Sequence, residues 1–175
     1  MSSRDDFETL TAESQRTDRE LADRTRQIIE GQIQRTARIA EYGHYAAQVL
    51  VAAHARPTKG VVQIIRHKIL GPTKSSPLCD AWDLGHGLTF DGDGHAPNQY
   101  RGYVLETNGD VRPYTREEDA TFLDLDRKLS PYELLVDQLL PPLRADQNTR
   151  FEANWDVERA LADLVARHLP GHQTQ

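Results

Sequence analysis

The sequence predicts an α+β domain, and three observations carry that expectation. A long stretch free of helix breakers comes first in the chain, β-branched and alternating segments with turn signals follow, and helix-capping patterns return only near the C-terminus. Such segregation of helices and strands argues against a parallel βαβ architecture. The expected elements are a long N-terminal helix, an antiparallel meander of about four strands, and two C-terminal helices.

Residues 1–17 are polar, with Phe7 and Leu10 the only sizeable apolar groups, and are expected to form a flexible arm. Residues 18–56 are expected to be helical: no proline precedes Arg56-Pro57, and Gly31 and Gly43 are the only weak points. Ala22, Ile29, Ile33, Ala37, Ala40, Ala47, Leu50 and Val51 recur at helical spacing. The first half of this helix is highly charged and the second is apolar almost all round. One end is therefore expected in solvent and the other docked on a core. A helix this long in one domain points to self-association or partner binding, with Ile29, Ile33, Ala37, Ala40, Ala47 and Leu50 as the contact residues.

Residues 57–170 form the expected α+β domain, and 171–175 a tail. The β-branched run 61–70 reads as a strand, and 71–80, with two prolines and two serines, as a loop. Residues 82–90 alternate, which places Trp82, Leu84, His86, Leu88 and Phe90 on one face. Asn108-Gly109 predicts a two-residue type I′ turn joining strands 100–107 and 111–115. That turn sets Tyr103 opposite Tyr114 and Val104 opposite Pro113, and Pro113 makes the second strand a sheet edge. Phe122, Leu123 and Leu125 could cap the sheet. Ser130-Pro131-Tyr132-Glu133 is a capping box, predicting a helix to about Leu140. Asn154 is an expected N-cap for a last helix carrying Val157, Leu161, Leu164, Val165 and His168 on one stripe.

Composition excludes several classes of function. The chain is 38% hydrophobic and 27% charged, with no apolar run long enough to span a membrane and no apolar leader at its start. The single Cys79 fits a reducing compartment, so a cytoplasmic location is expected. Residues 1–59 are charge-neutral and 60–78 are purely basic, while 79–175 hold nine basic and eighteen acidic side chains. Nucleic acid as the main partner needs a basic footprint, and this balance opposes it.

Four constellations could carry chemistry. Should strands 61–70 and 82–90 pair with Gly71 and Trp82 at the turn ends, His67 would face His86, and neighbouring imidazoles can hold a metal or titrate near neutral pH. Asp83 or His95 could complete such a site. Asp91-Gly92-Asp93-Gly94-His95 begins like a calcium loop, but Ala96 and Gly102 stand where that loop needs Gly and Glu. Cys79 lies near Asp80, Asp83 and His86 in sequence, as a nucleophile would near a base. Glu117, Glu118, Asp119, Asp124 and Asp126 could attract a cation or a basic protein. No phosphate-cradling glycine loop, paired-cysteine zinc spacing or HExxH motif occurs, and no cofactor is specified. The leading expectation is a non-enzymatic interaction protein that dimerises through its N-terminal helix and binds a protein partner. Alternatives are a small hydrolase or metal-dependent enzyme with a histidine-lined site on the sheet, and an acidic antagonist masking a basic protein surface.

Overall fold

The computed structural model describes residues 3–89, 99–117, 127–148 and 156–169. Helix α1 spans Ser3–Ala52. It therefore includes residues 3–17, where the sequence predicts an arm. Strands β1 (Lys59–His67), β2 (Gly71–Thr89), β3 (Gln99–Glu106) and β4 (Val111–Glu117) form the expected antiparallel meander. Two short strands, β5 (Glu133–Val136) and β6 (Gln138–Leu139), complete the sheet, and α2 (Val157–His168) follows.

Only Asp137 separates β5 from β6, yet β5 pairs in parallel with β1 and β6 pairs antiparallel with β4. One segment thus bridges both edges of the meander and closes it into a small barrel. Closure removes the exposed edges an open sheet would present. Arg66 helps hold the seam, its Nε donating to Asp137 Oδ1 at 2.8 Å.

Each strand contributes to the barrel interior. Val61, Ala81, Val104, Tyr114, Leu134 and Val136 are buried together, with Cys79 and Leu139 packed against them. A barrel this small has room for side chains and nothing else. The Tyr114 ring fits because its cross-strand partner is Gly102, where a Cβ would run into the Cζ and hydroxyl of the ring. On the outer face, Ile39, Ala46, Ala47 and Leu50 of α1 and Val157, Leu161 and Leu164 of α2 pack over Trp82, Leu84, Leu105 and Val111. Trp82 satisfies its indole N–H on the Arg56 carbonyl at 3.0 Å.

Several expectations fail here for identifiable reasons. The capping box forms, with Ser130 N–H donating to Glu133 and Tyr132 N–H to the Ser130 hydroxyl. It leads into β5 instead of a helix, because Leu134, Leu135 and Val136 are all buried, and only an extended chain can put consecutive residues into cores on opposite faces. The described residues accordingly hold one C-terminal helix and not two. Its N-cap is Asp156, whose Oδ1 accepts from Arg159 N–H at 2.9 Å; Asn154 lies outside the described residues.

Residues 71–80 are strand and not loop, pairing with β1 through two register shifts. The Asn108-Gly109 turn is also one residue longer than expected. Glu106 N–H bonds Asp110 O and Gly109 N–H bonds Glu106 O, so the loop is Thr107–Gly109 with only Gly109 at positive φ, 94°. That is a type I turn closed by a glycine bulge. The register moves by one: Tyr103 faces Pro113, and Tyr114 faces Gly102. Pro113 does not mark an edge, since its carbonyl accepts from Leu140 N–H on the β6 side.

Candidate functional site

The surface left unused by folding is the N-terminal part of α1. Residues 7–31 are exposed, and domain contact begins near Gln32. At 1.5 Å per residue, residues 3–31 form a rod about 43 Å long with solvent around it. Local bonds support it: Arg16 pairs with Glu20 at 3.0 Å, and the Thr11, Thr17 and Thr25 hydroxyls donate to carbonyls one turn back. Such contributions leave an isolated helix marginal in water.

This rod is not polar all round. Phe7, Leu10, Leu21 and Ile28 are 70%, 64%, 63% and 61% exposed. At 100° per residue they lie, with Ile29, on the same side of α1 as Thr36, Ile39, Gly43, Ala46 and Leu50, the side that packs on the barrel. Large apolar groups therefore recur along the core side of the rod, interrupted by Ser14 and Asp18, and no described residue of the chain covers them.

A second apolar surface lies between the two helices. A groove of about 330 Å³ is lined by Tyr42, Tyr45, Leu161, Val165 and Leu169, with Tyr42, Tyr45 and Leu169 at least partly in solvent. Its end is fixed by Arg35, whose Nη2 and Nε donate to the Glu158 carboxylate at 2.9 and 3.0 Å, with Arg38 at 3.6 Å. Burial works to raise the Glu158 pKa, but hydrogen bonds from Arg35 and its own backbone outweigh burial and hold it below the ordinary carboxylate value.

The sequence-predicted contact residues divide between these regions and the core. Ala47 and Leu50 are inside the domain, Ile33, Ala37 and Ala40 are half-buried, and Ile29 is exposed on the rod. The predicted stripe lies about one residue position around the helix from the observed one. Leu21, Ile28 and the groove tyrosines were missed. The signal was present in the seven-residue spacing of Leu21 and Ile28, in phase with Ile39 and Ala46.

The histidines do not converge. His67 faces Gly71 at the β1–β2 turn, and His86 faces Gly102 further along β2. His86 is also not on the apolar face. One extra residue in β2 between Asp83 and His86, with Gly85 at φ 99° and its N–H donating to Asp83 Oδ1 at 2.8 Å, changes the alternation and leaves the imidazole exposed. His95, Leu88's side chain and the loop 91–98 lie outside what is described, as do Phe122, Leu123, Leu125 and the acidic residues Glu118, Asp119, Asp124 and Asp126. Among the described residues no three His, Cys, Asp or Glu side chains are grouped to hold a metal.

Cys79 is set up in the opposite sense to a nucleophile. Burial first, then the Glu106 carboxylate against it, push the thiol up to about 11. The acidic C-terminal half meets basic partners within the chain: Glu106 with Arg112, Asp110 with Arg144, Glu133 with Lys74, Asp137 with Arg66 and Glu158 with Arg35. No helix among the described residues is long and apolar enough to cross a membrane. Comparison with known proteins finds no matching family model, no matching curated protein and no matching solved structure.

Proposed function

We propose that the protein is a non-enzymatic interaction protein that dimerises through the exposed rod of α1. The observation that carries this reading is the row of large apolar groups on the rod of α1, in line with the core, that no described residue covers. Burying Phe7, Leu10, Leu21 and Ile28 contributes about 1–2 kcal/mol each, or roughly 8–16 kcal/mol from two copies. Association itself costs about 4–15 kcal/mol, so the two ranges overlap, and a dimer seen at micromolar concentration needs a surplus of about 8 kcal/mol, towards the favourable end of them. A protein partner would meet the groove beside Tyr42 and Tyr45, a concave apolar surface that such a dimer leaves open.

Light scattering on the full chain and on a Leu21→Glu/Ile28→Glu variant tests the reading. The parent is expected at twice its 19.8 kDa chain mass and the variant at once that mass, with unchanged circular dichroism in the domain. A parent that stays at 19.8 kDa at high micromolar concentration would sink the proposal.

A further inference from the structure

We propose that the tip of the β1–β2 hairpin docks the protein on an anionic phospholipid surface. Ile69 and Leu70 enter the headgroup region, and the basic side chains around them meet the lipid phosphates. This surface lies apart from the rod of α1 and does not depend on the dimer.

The hairpin is longer than the barrel needs. β5 pairs with β1 only as far as Gln63, and β3 pairs with β2 only from Ala81. Among the described residues, Ile64–His67 and 71–74 therefore pair only with each other. They form a two-stranded ribbon that carries its turn about 15 Å past Gln63. The turn is Lys68-Ile69-Leu70, closed by Gly71 at φ 73°, a conformation glycine adopts without strain.

Turn chemistry does not explain the side chains at this tip. Such positions ordinarily hold Gly, Asn, Asp or Ser, which serve the backbone. Ile69 and Leu70 are 95% and 80% exposed, more than any other large apolar side chain among the described residues. Neither joins a core cluster. Two adjacent apolar groups held out in water gain free energy only from a surface that removes them from it.

Charge and shape identify that surface. No acidic residue occurs from Lys59 to Cys79. Lys68 is exposed in the turn itself. Further down the ribbon, Arg66 pairs with Asp137 at 2.8 Å and Lys74 with Glu133 at 2.7 Å. Leu129 packs against the cluster of Val62, Ile64 and Leu135, which brings Arg127 and Lys128 to the ribbon's base. Arg66, Lys68, Lys74, Arg127 and Lys128 thus outnumber Glu133 and Asp137 here, on a chain of net charge −6. An apolar tip with a basic collar is the pattern an anionic bilayer binds. An acidic protein fits less well: two side chains on a convex turn cover far less than the roughly 800 Å² per partner that a specific protein interface buries. A fluid bilayer closes around a projecting tip without needing a matching pocket.

Sedimentation of the full chain with vesicles provides the test, using phosphatidylcholine alone and phosphatidylcholine mixed with phosphatidylserine. Binding is expected only with phosphatidylserine present, and it should weaken as salt is raised. Ile69→Ser/Leu70→Ser should lower the partition coefficient at least about tenfold, and Lys68→Gln about fivefold. Both should keep the parent's circular dichroism and light-scattering mass, because these side chains are exposed. An environment-sensitive fluorophore on Leu70→Cys, in a Cys79→Ala background, should shift to the blue on the mixed vesicles. The same dye on Gln34→Cys, exposed on α1, should not. A parent that ignores the mixed vesicles overturns the proposal. So does vesicle binding that the double serine variant retains, which places the lipid contact on another surface. A tip substitution that changes the light-scattering mass assigns the tip to a protein contact and overturns it too.

Discussion

Replacing Tyr114 by Phe is expected to stabilise this protein, against the usual result for a buried tyrosine. Tyr114 is 1% exposed and fills the barrel interior, but its hydroxyl has no hydrogen-bond partner among the described residues. Burial also drives its pKa above the ordinary tyrosine value, with the Asp83 charge adding to the effect. A buried hydroxyl without a partner costs about 1–3 kcal/mol relative to one left in water. Phenylalanine keeps the ring contacts with Val104, Leu134 and Val136 and removes that cost, so a gain of about 1–2 kcal/mol follows. For a chain of this size that raises Tm by about 2–8 °C. Urea unfolding followed by circular dichroism should show a higher midpoint at unchanged slope. Gly102→Ala supplies the control. Strand propensity alone would favour alanine, whereas a Cβ driven into the Tyr114 ring end should cost about 1–3 kcal/mol. The two changes should couple, alanine costing less beside phenylalanine because the hydroxyl part of the clash is gone. A Tyr114→Phe variant less stable than its parent by more than about 0.5 kcal/mol would refute the unpartnered hydroxyl and with it this description of the interior.

Three further outcomes follow from the same contacts. Arg35→Met leaves the Glu158 carboxylate half-buried without its bidentate partner and should cost about 1–2 kcal/mol by urea titration. Because the folded Glu158 pKa is depressed, its stabilising contribution is present above the ordinary carboxylate pKa of 4.5 and fades as pH falls; the Arg35→Met variant should lose that part of the acid limb. The Cys79 thiol is raised, so stability should decline as pH climbs from 9.0 towards about 11, and Cys79→Ala should flatten that part of the alkaline limb in thermal melts. Gly109→Ala forces a side chain onto a φ of 94° and into His44 of α1, and should lower stability by at least about 1 kcal/mol in the same melts.

What the sequence revealed tracks how local each signal is. The solvated first half and docked second half of α1 were legible from charge and apolar distribution, and the last helix from the spacing of Val157, Leu161 and Leu164. Strand existence was legible in β1, β3 and β4. Register was not, because Asn108-Gly109 is compatible with both a two-residue and a three-residue loop, and only the packing of Tyr114 on Gly102 selects between them. The face of His86 depended on a bulge at Gly85 that alternation cannot reveal. β5 was misread because the local capping box is real; the long-range pairing of Leu134–Val136 with β1 outweighs it. Barrel closure is wholly non-local, since it joins residues 60–63 to 133–136 and 114–115 to 138–139. For the candidate site, the presence of a long N-terminal helix was readable, while the side of α1 that meets the barrel required knowing which residues the barrel covers.

Amide hydrogen exchange across a dilution series tests the uncovered rod most directly. If its stripe is buried only by a second copy, protection of residues 7–31 should rise with protein concentration, because an isolated helix of this kind opens readily. Amides near Ile39 and Leu50, held by the domain core, should keep one protection level throughout. Exchange in 7–31 that is independent of concentration, whether slow or fast, would contradict the account.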